Sequence, residues 1–207
     1  MVPLGGTVAF YVIDHDAAVT AKLVKYLQTT PYAGVLLTRE KMDGTFLLSD
    51  AGIDSPAEAD VVMSMRWRSD KINREGAMPG MLLIEGKSYK TGQGMHGSLS
   101  RFDMHNTLIA SGPDFKAGFK SETPSANSDV APTVLSILGI KAKEEMDGRV
   151  LEEAFTGAPA EGPKVETSTM EAKRDLEDKK VWQQYLKVSK VGKQIYYDEG
   201  NVGAPPQ

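Results

Sequence analysis

The chain has 207 residues, 41% hydrophobic and 25% charged, an ordinary globular composition able to bury roughly 70% of its unfolded surface. A net charge of −4, with basic and acidic residues interleaved, leaves no electrostatic footprint for nucleic acid, and no apolar run approaches the roughly 18 residues that span a membrane. The absence of cysteine excludes disulfides, zinc–thiolate sites and thiol nucleophiles, so any metal must be held by histidine, carboxylate or backbone oxygen.

The N-terminus, MVPLGGTVAFYVIDHD, lacks the basic-then-apolar order of a signal peptide, so any export signal is expected upstream. Thr7 to Ile13 reads as a buried strand. Asp14 or Asp16 can then cap a helix with Val19, Leu23 and Leu27 on one face, stopped by Pro31. Gly34 to Arg39 is the next strand, which completes a βαβ-like unit. Asp43-Gly44 signals a turn before Thr45–Leu48, so a small hairpin is expected there.

Asp60 to Arg68 reads as a further strand with Val62, Ser64 and Arg66 on one face and Val61, Met63, Met65 and Trp67 on the other. Residues 69–97 are rich in Gly, Lys and Ser and read largely as loop. Thr107 to Ala110 has the character of a central strand, ended by Ser111-Gly112-Pro113. Asn127 or Ser128 can cap a helix through Leu138 with Gly139 as its terminator, Pro132 placing the start nearer Ala131. Residues 156–169 form a Gly/Pro/Ala-rich connection, and the charged run that follows reads as a solvated face. Residues 181–202 then predict a hairpin turning near Val191-Gly192-Lys193, with Trp182, Tyr185, Ile195 and Tyr197 available for packing.

One stretch carries chemistry. His96 lies between Met95 and Gly97 in GQGMHGSLSRFDMHNTLIASGPDFKAG, just before the apolar run, and strand ends are where α/β enzymes place catalytic groups. The glycine beside it gives the backbone room to bring the ring to a metal. Four blocks in order, GMHG, DMHNTLIASGPDFKAG, NSDVAPTVLSILGI and MDGRVLEEAF, resemble the closing section of alkaline phosphatase superfamily enzymes, in the type I phosphodiesterase/nucleotide pyrophosphatase and sulfatase-like branch. The resemblance covers roughly residues 85 to 155.

That resemblance implies a metal-dependent hydrolase of a phosphate- or sulfate-ester small molecule. Its two divalent ions, usually zinc, sit about 4 Å apart and clamp the attacking and departing oxygens. A Thr or Ser alkoxide forms the covalent intermediate. It implies His96 as a ligand to one ion, its other ring nitrogen held by an acceptor. The family's early Asp, its nucleophile, its Asp-x-x-x-His pair and its Asp-His-Gly pair have no clear match, so no catalytic residue is assigned. The chain thus reads as a C-terminal part, inactive alone, whose partner is the missing N-terminal portion; a metal-free remnant serving as a binding or structural module is the alternative.

Rival residues have plainer readings. Asp14-His15-Asp16 is superficially similar to the Asp-His-Gly pair, but Asp16 replaces the glycine and a helix begins at once, which favours capping over metal binding. A complete one-metal enzyme would need Asp14, His15 and His96 together. His105 reads as a hydrogen-bonded structural histidine, and Asp129 as a first-turn helix residue favoured by the macrodipole. A Ser98–His96–Asp103 triad lacks the strand-turn-helix elbow of hydrolases. The expected fold is α/β, a partial mixed sheet flanked by helices over 1–155, with a linker and hairpin extension over 156–207. A homodimer through the exposed sheet edge is expected.

Overall fold

The computed structural model describes residues 1–55, 57–68, 79–83, 94 and 96–204. It is an α/β protein with a mixed five-stranded sheet, a separate three-stranded antiparallel sheet and few helices. Two compact units form, one from 1–106, 169–187 and 198–207, the other from 107–168 and 188–197. Most of the segment read as a long loop lies outside the described residues. Among the described residues no helix is long and apolar enough to cross a membrane.

The first unit is built around β5 (Val61–Met65), which lies between β2 (Thr7–Phe10) and β3 (Ala33–Thr38) and is antiparallel to both. Strands β2 and β3 therefore run parallel, as a βαβ unit requires, with α1 (Ala17–Leu27) as their connection. Strand β1 (Val2–Pro3) closes one edge and β4 (Phe46–Leu47) the other. All six residues of β3 are buried, which suits its apolar run up to Thr38, whose hydroxyl bonds with that of Thr45 at 2.8 Å.

The core joins Val8, Val24, Leu27, Ala33, Leu36, Val61, Met63 and Trp182. Helix α1 turns Thr20, Val24 and Leu27 inward. Val19 is about half exposed, so the buried stripe lies a turn's fraction away from the expected one.

Leu47 and Phe46 pair with β3 in parallel, so the expected hairpin at Asp43-Gly44 is absent. Long-range contacts override the turn signal. Gln28 donates to the Asp43 carbonyl at 2.9 Å and the Trp182 indole to the Gly44 carbonyl at 2.9 Å, drawing the connection back across the sheet.

Strand register slips between Ala33 and Leu36. Just past that slip Leu36, in register with Met63, is also bonded by the carboxamide of Gln184. Its Oε1 accepts from the Leu36 amide at 2.8 Å and its Nε2 donates to the Leu36 carbonyl at 3.0 Å, with Gln184 fully buried. A side-chain amide thus substitutes for a neighbouring strand.

The C-terminal hairpin is found as expected, β7 (Val181–Val191) and β8 (Gln194–Val202) meeting at Gly192, whose φ is +61°. A third strand, β6 (Val165–Asp175), occupies the end of the presumed connection and much of the charged run. Its side chains are mostly exposed, so it lacks the apolar alternation that would have marked it. Trp182 and Tyr185 are buried, whereas on β8 Tyr196 is buried and Ile195 is about half exposed.

In the second unit α3 (Val130–Ile137) follows a 3-10 turn at Asn127–Asp129, and Gly139 ends it with φ +64°. The amide of Ile140 donates to the Leu135 carbonyl at 2.9 Å, a Schellman closure. Asp129 does more than favour a dipole. Fully buried, it accepts from the Ala126 amide, the Arg149 amide and the Tyr196 hydroxyl, at 2.8, 2.8 and 3.0 Å. Arg149 in turn grips Glu153 with both terminal nitrogens, at 2.8 and 2.7 Å. The presumed central strand Thr107–Ala110 forms no strand and is exposed.

Replacing Gln184 with Leu strands two buried backbone groups of Leu36, and should lower unfolding free energy by about 3 kcal/mol, read from the urea midpoint. Burial, and then the Asp129 carboxylate, push the Tyr196 phenol up to about 12 against the pull of Arg149. Unfolded tyrosine titrates near ~10, so this stabilisation is complete below about pH 10 and lost as pH rises through about 12. Alkaline titration of Tyr196→Phe should show a smaller loss across that window than the parent.

Candidate functional site

His96 sits on a loop that the first unit holds from several sides. On one flank the Gly6 amide donates to the His96 carbonyl at 2.5 Å, and the Thr7 hydroxyl donates to the Gly97 carbonyl. On the other, the Leu99 amide donates to Ser64 Oγ at 3.1 Å and the Leu99 carbonyl accepts from Gly200 at 2.8 Å. The next residues turn into α2 (Arg101–Met104), where Ser100 accepts from the Phe102 amide at 3.3 Å as the N-cap. Arg101 lies 3.7 Å from the buried carboxylate of Glu199 and stacks over Trp67 and Phe102.

Two glycines make this approach feasible. Gly97 has φ +75°, and a Cβ there would stand 2.9 Å from the Leu4 carbonyl oxygen. Gly5, at φ +77°, passes under the imidazole, where a Cβ would lie 3.1 Å from both Nδ1 and Cε1 of His96. The glycine after the histidine is therefore required by backbone conformation alone, whatever the ring binds.

The His96 side chain is exposed, and among the described residues its ring nitrogens have no hydrogen-bond partner. Among those residues no three His, Asp or Glu side chains come together in a way that would hold a metal ion. A tetrahedral zinc takes four ligands, and an imidazole alone is one corner of such a site. The described residues by themselves therefore do not fit a resident two-metal centre.

The rival histidines go elsewhere. His15 Nδ1 lies 2.8 Å from Asp60 Oδ1, while Asp60 Oδ2 accepts from the Val12 amide at 2.7 Å. Asp14 and His15 both have positive φ, 55° and 51°, a conformation uncommon for side-chain-bearing residues. Asp60 thus staples the tight link between β2 and α1. Asp16 caps α1 through the Ala18 and Val19 amides at 2.8 and 3.0 Å, the role preferred from sequence. Asp14, His15 and His96 are not gathered on one ion.

His105 caps the C-terminal end of α2 with its backbone, and its side chain is exposed without a hydrogen bond among the described residues, unlike the structural histidine expected. Ser98 is buried and its hydroxyl donates directly to Asp103, with no imidazole between them. That geometry shapes the turn into α2 and activates no nucleophile.

Sequence reasoning missed the partner of His15, because Asp60 reads only as the first residue of a strand. It also missed Glu199, buried on β8 within 3.3 Å of Lys187. Burial and the Glu199 carboxylate push the Tyr185 phenol well above its ordinary range.

Burial alone would raise the Asp60 carboxyl, but the Val12 amide, His15 and Arg39 outweigh it and hold the group below the usual carboxylate range. Its contribution is complete above the unfolded value of about 3.9 and is lost as pH falls below that point through the lowered folded value. Asp60→Asn should therefore flatten part of the acid limb of stability between about pH 4 and pH 2, followed by circular dichroism in urea.

No family model, curated protein or solved structure matches the chain.

Proposed function

We propose that the chain is the C-terminal part of a two-metal phosphodiesterase or nucleotide pyrophosphatase-like hydrolase of the alkaline phosphatase superfamily. In this reading it contributes one metal-ligating imidazole, His96, and does not turn over substrate by itself. The observation that carries the reading is the order of the four sequence blocks, together with a His96 ring left without a hydrogen-bond partner among the described residues. A ligand must offer a free lone pair, and a loop pinned on both flanks supplies it at low entropic cost.

The Gly6 amide fixes the His96 carbonyl, the Thr7 hydroxyl fixes the Gly97 carbonyl, and the Ser64 and Gly200 contacts fix Leu99. The nucleophile and the remaining ligands belong to the N-terminal portion in this reading. A metal-free remnant acting as a binding or structural module is the second reading, favoured by the lack of a three-ligand cluster among the described residues.

The purified chain should show no steady hydrolysis of bis(p-nitrophenyl) phosphate with added zinc, and turnover abolished by His96→Ala would overturn the fragment reading. Equilibrium dialysis separates the two readings. Zinc should bind far more weakly than the ~10–16 kcal/mol of a four-ligand site, and this weak binding should be lost in His96→Ala. Equal zinc uptake by both proteins would leave the remnant reading standing instead.

A further inference from the structure

Two consecutive residues of the β2–α1 link, Asp14 and His15, hold left-handed backbone at φ 55° and 51°. Side-chain-bearing residues adopt it at a cost, and such outliers gather at functional sites. Here they aim one ring. His15 Nδ1 meets Asp60 Oδ1 at 2.8 Å, yet the histidine side chain stays 54% exposed. Among the described residues its Nε2 has no partner. Asp60 is buried, its Oδ2 accepts from the Val12 amide, and Arg39 lies 4.0 Å from its Oδ1.

The pair sits where chemistry is usually placed. His15 follows β2, Arg39 follows β3, and Asp60 precedes the antiparallel β5. All three therefore lie at the carboxyl ends of the two parallel strands, the end at which open α/β sheets take ligands. A staple alone does not call for histidine. Asparagine adopts this backbone more readily and can donate to Asp60 from its amide. What histidine adds is a second ring nitrogen. An ionised carboxylate only accepts, so Nδ1 carries the proton and Nε2 presents its lone pair to solvent.

We propose that His15 is a nucleophilic imidazole that accepts acyl groups from uncharged esters, with Asp60 as its positioning residue. Nε2 attacks the carbonyl carbon, the C–O bond to the alcohol breaks, and the departing alkoxide takes a proton from water. The hydroxide this leaves attacks the acyl carbon, and the C–N bond breaks to restore the imidazole and release the acid. Nδ1 keeps its proton through both steps, and Asp60 balances the positive charge that acylation puts on the ring.

The substrate class follows from the charges. Asp14 and Asp16 flank His15 in sequence with exposed side chains, and Asp60 adds a third carboxylate. Phosphate and sulfate esters are repelled there, whereas a neutral ester is not. Tyr11 and Ile13, exposed on the same link, offer apolar surface to its acyl group. This inference is independent of the phosphodiesterase reading, which uses His96 and a charged ester.

Release of p-nitrophenolate from p-nitrophenyl acetate at neutral pH tests it. The parent should outpace an equal concentration of free imidazole at least about tenfold. His15→Asn, which keeps the backbone and a donor to Asp60, should remove that excess. Asp60→Asn should remove it too, because an amide donating to Nδ1 moves the ring proton to Nε2. Imidazole nitrogen NMR shifts should report that tautomer change while circular dichroism stays the same. Peptide mass spectrometry of acid-quenched protein should find acetyl on His15, and His105→Ala should leave the rate unchanged. A parent no faster than free imidazole, an excess retained in His15→Asn or Asp60→Asn, or an equal loss in His105→Ala each overturns the proposal.

Discussion

The first unit depends on one shared strand. Val61–Met65 supplies hydrogen bonds to β2 on one side and to β3 on the other, and Met63 faces Val8 and Leu36 at once. Every other element is placed by what that strand fixes. Because β2 and β3 must both run against it, they are parallel, and α1 has to cross between them. Leu36 stays in register with Met63 after the bulge, and Gln184 bonds the amide and carbonyl of Leu36. Gly34 allows the close approach there, since a Cβ would stand 2.8 Å from the Ser64 and Met65 carbonyl oxygens. Displacing β5 would undo the sheet and the perch of the His96 loop together, because Ser64 lies on that strand.

What the sequence made legible was local. The Asp16 cap, the Gly139 terminator and the Gly192 turn each depend on the conformation of one or two residues, and each is found. The strands β2, β3 and β5 announce themselves by length and apolar content. Strand β4 does not, because its direction depends on Gln28 and Trp182 reaching it from far along the chain. Strand β6 is hidden for the opposite reason, its exposed side chains reading as a solvated run. Thr107–Ala110 shows the limit of intrinsic preference, since β-branched residues make a strand only when another strand is there to pair.

The candidate site has the same division. His96 and its glycine stand out in sequence, yet the conformation explains the glycine without reference to a ligand. His15 has a carboxylate partner that no spacing rule would find, since Asp60 is brought to it by the sheet. Histidines at strand and loop ends are therefore ambiguous until their partners are known. His15 has a buried carboxylate partner, and the His96 ring has none among the described residues.

The Gln184–Leu36 contact also bears on the order in which the chain can mature. Gln184 and Leu36 are 148 residues apart, and Trp67 lies 133 and 134 residues from its Gly200 and Asn201 partners. On the ribosome, β3 and β5 emerge well before the hairpin that completes them, and for many seconds their inward groups have no permanent neighbour. Vectorial synthesis therefore leaves this sheet open to wrong pairings until β7 and β8 have cleared the exit tunnel. A nascent chain of this design would benefit from a holding chaperone during that interval.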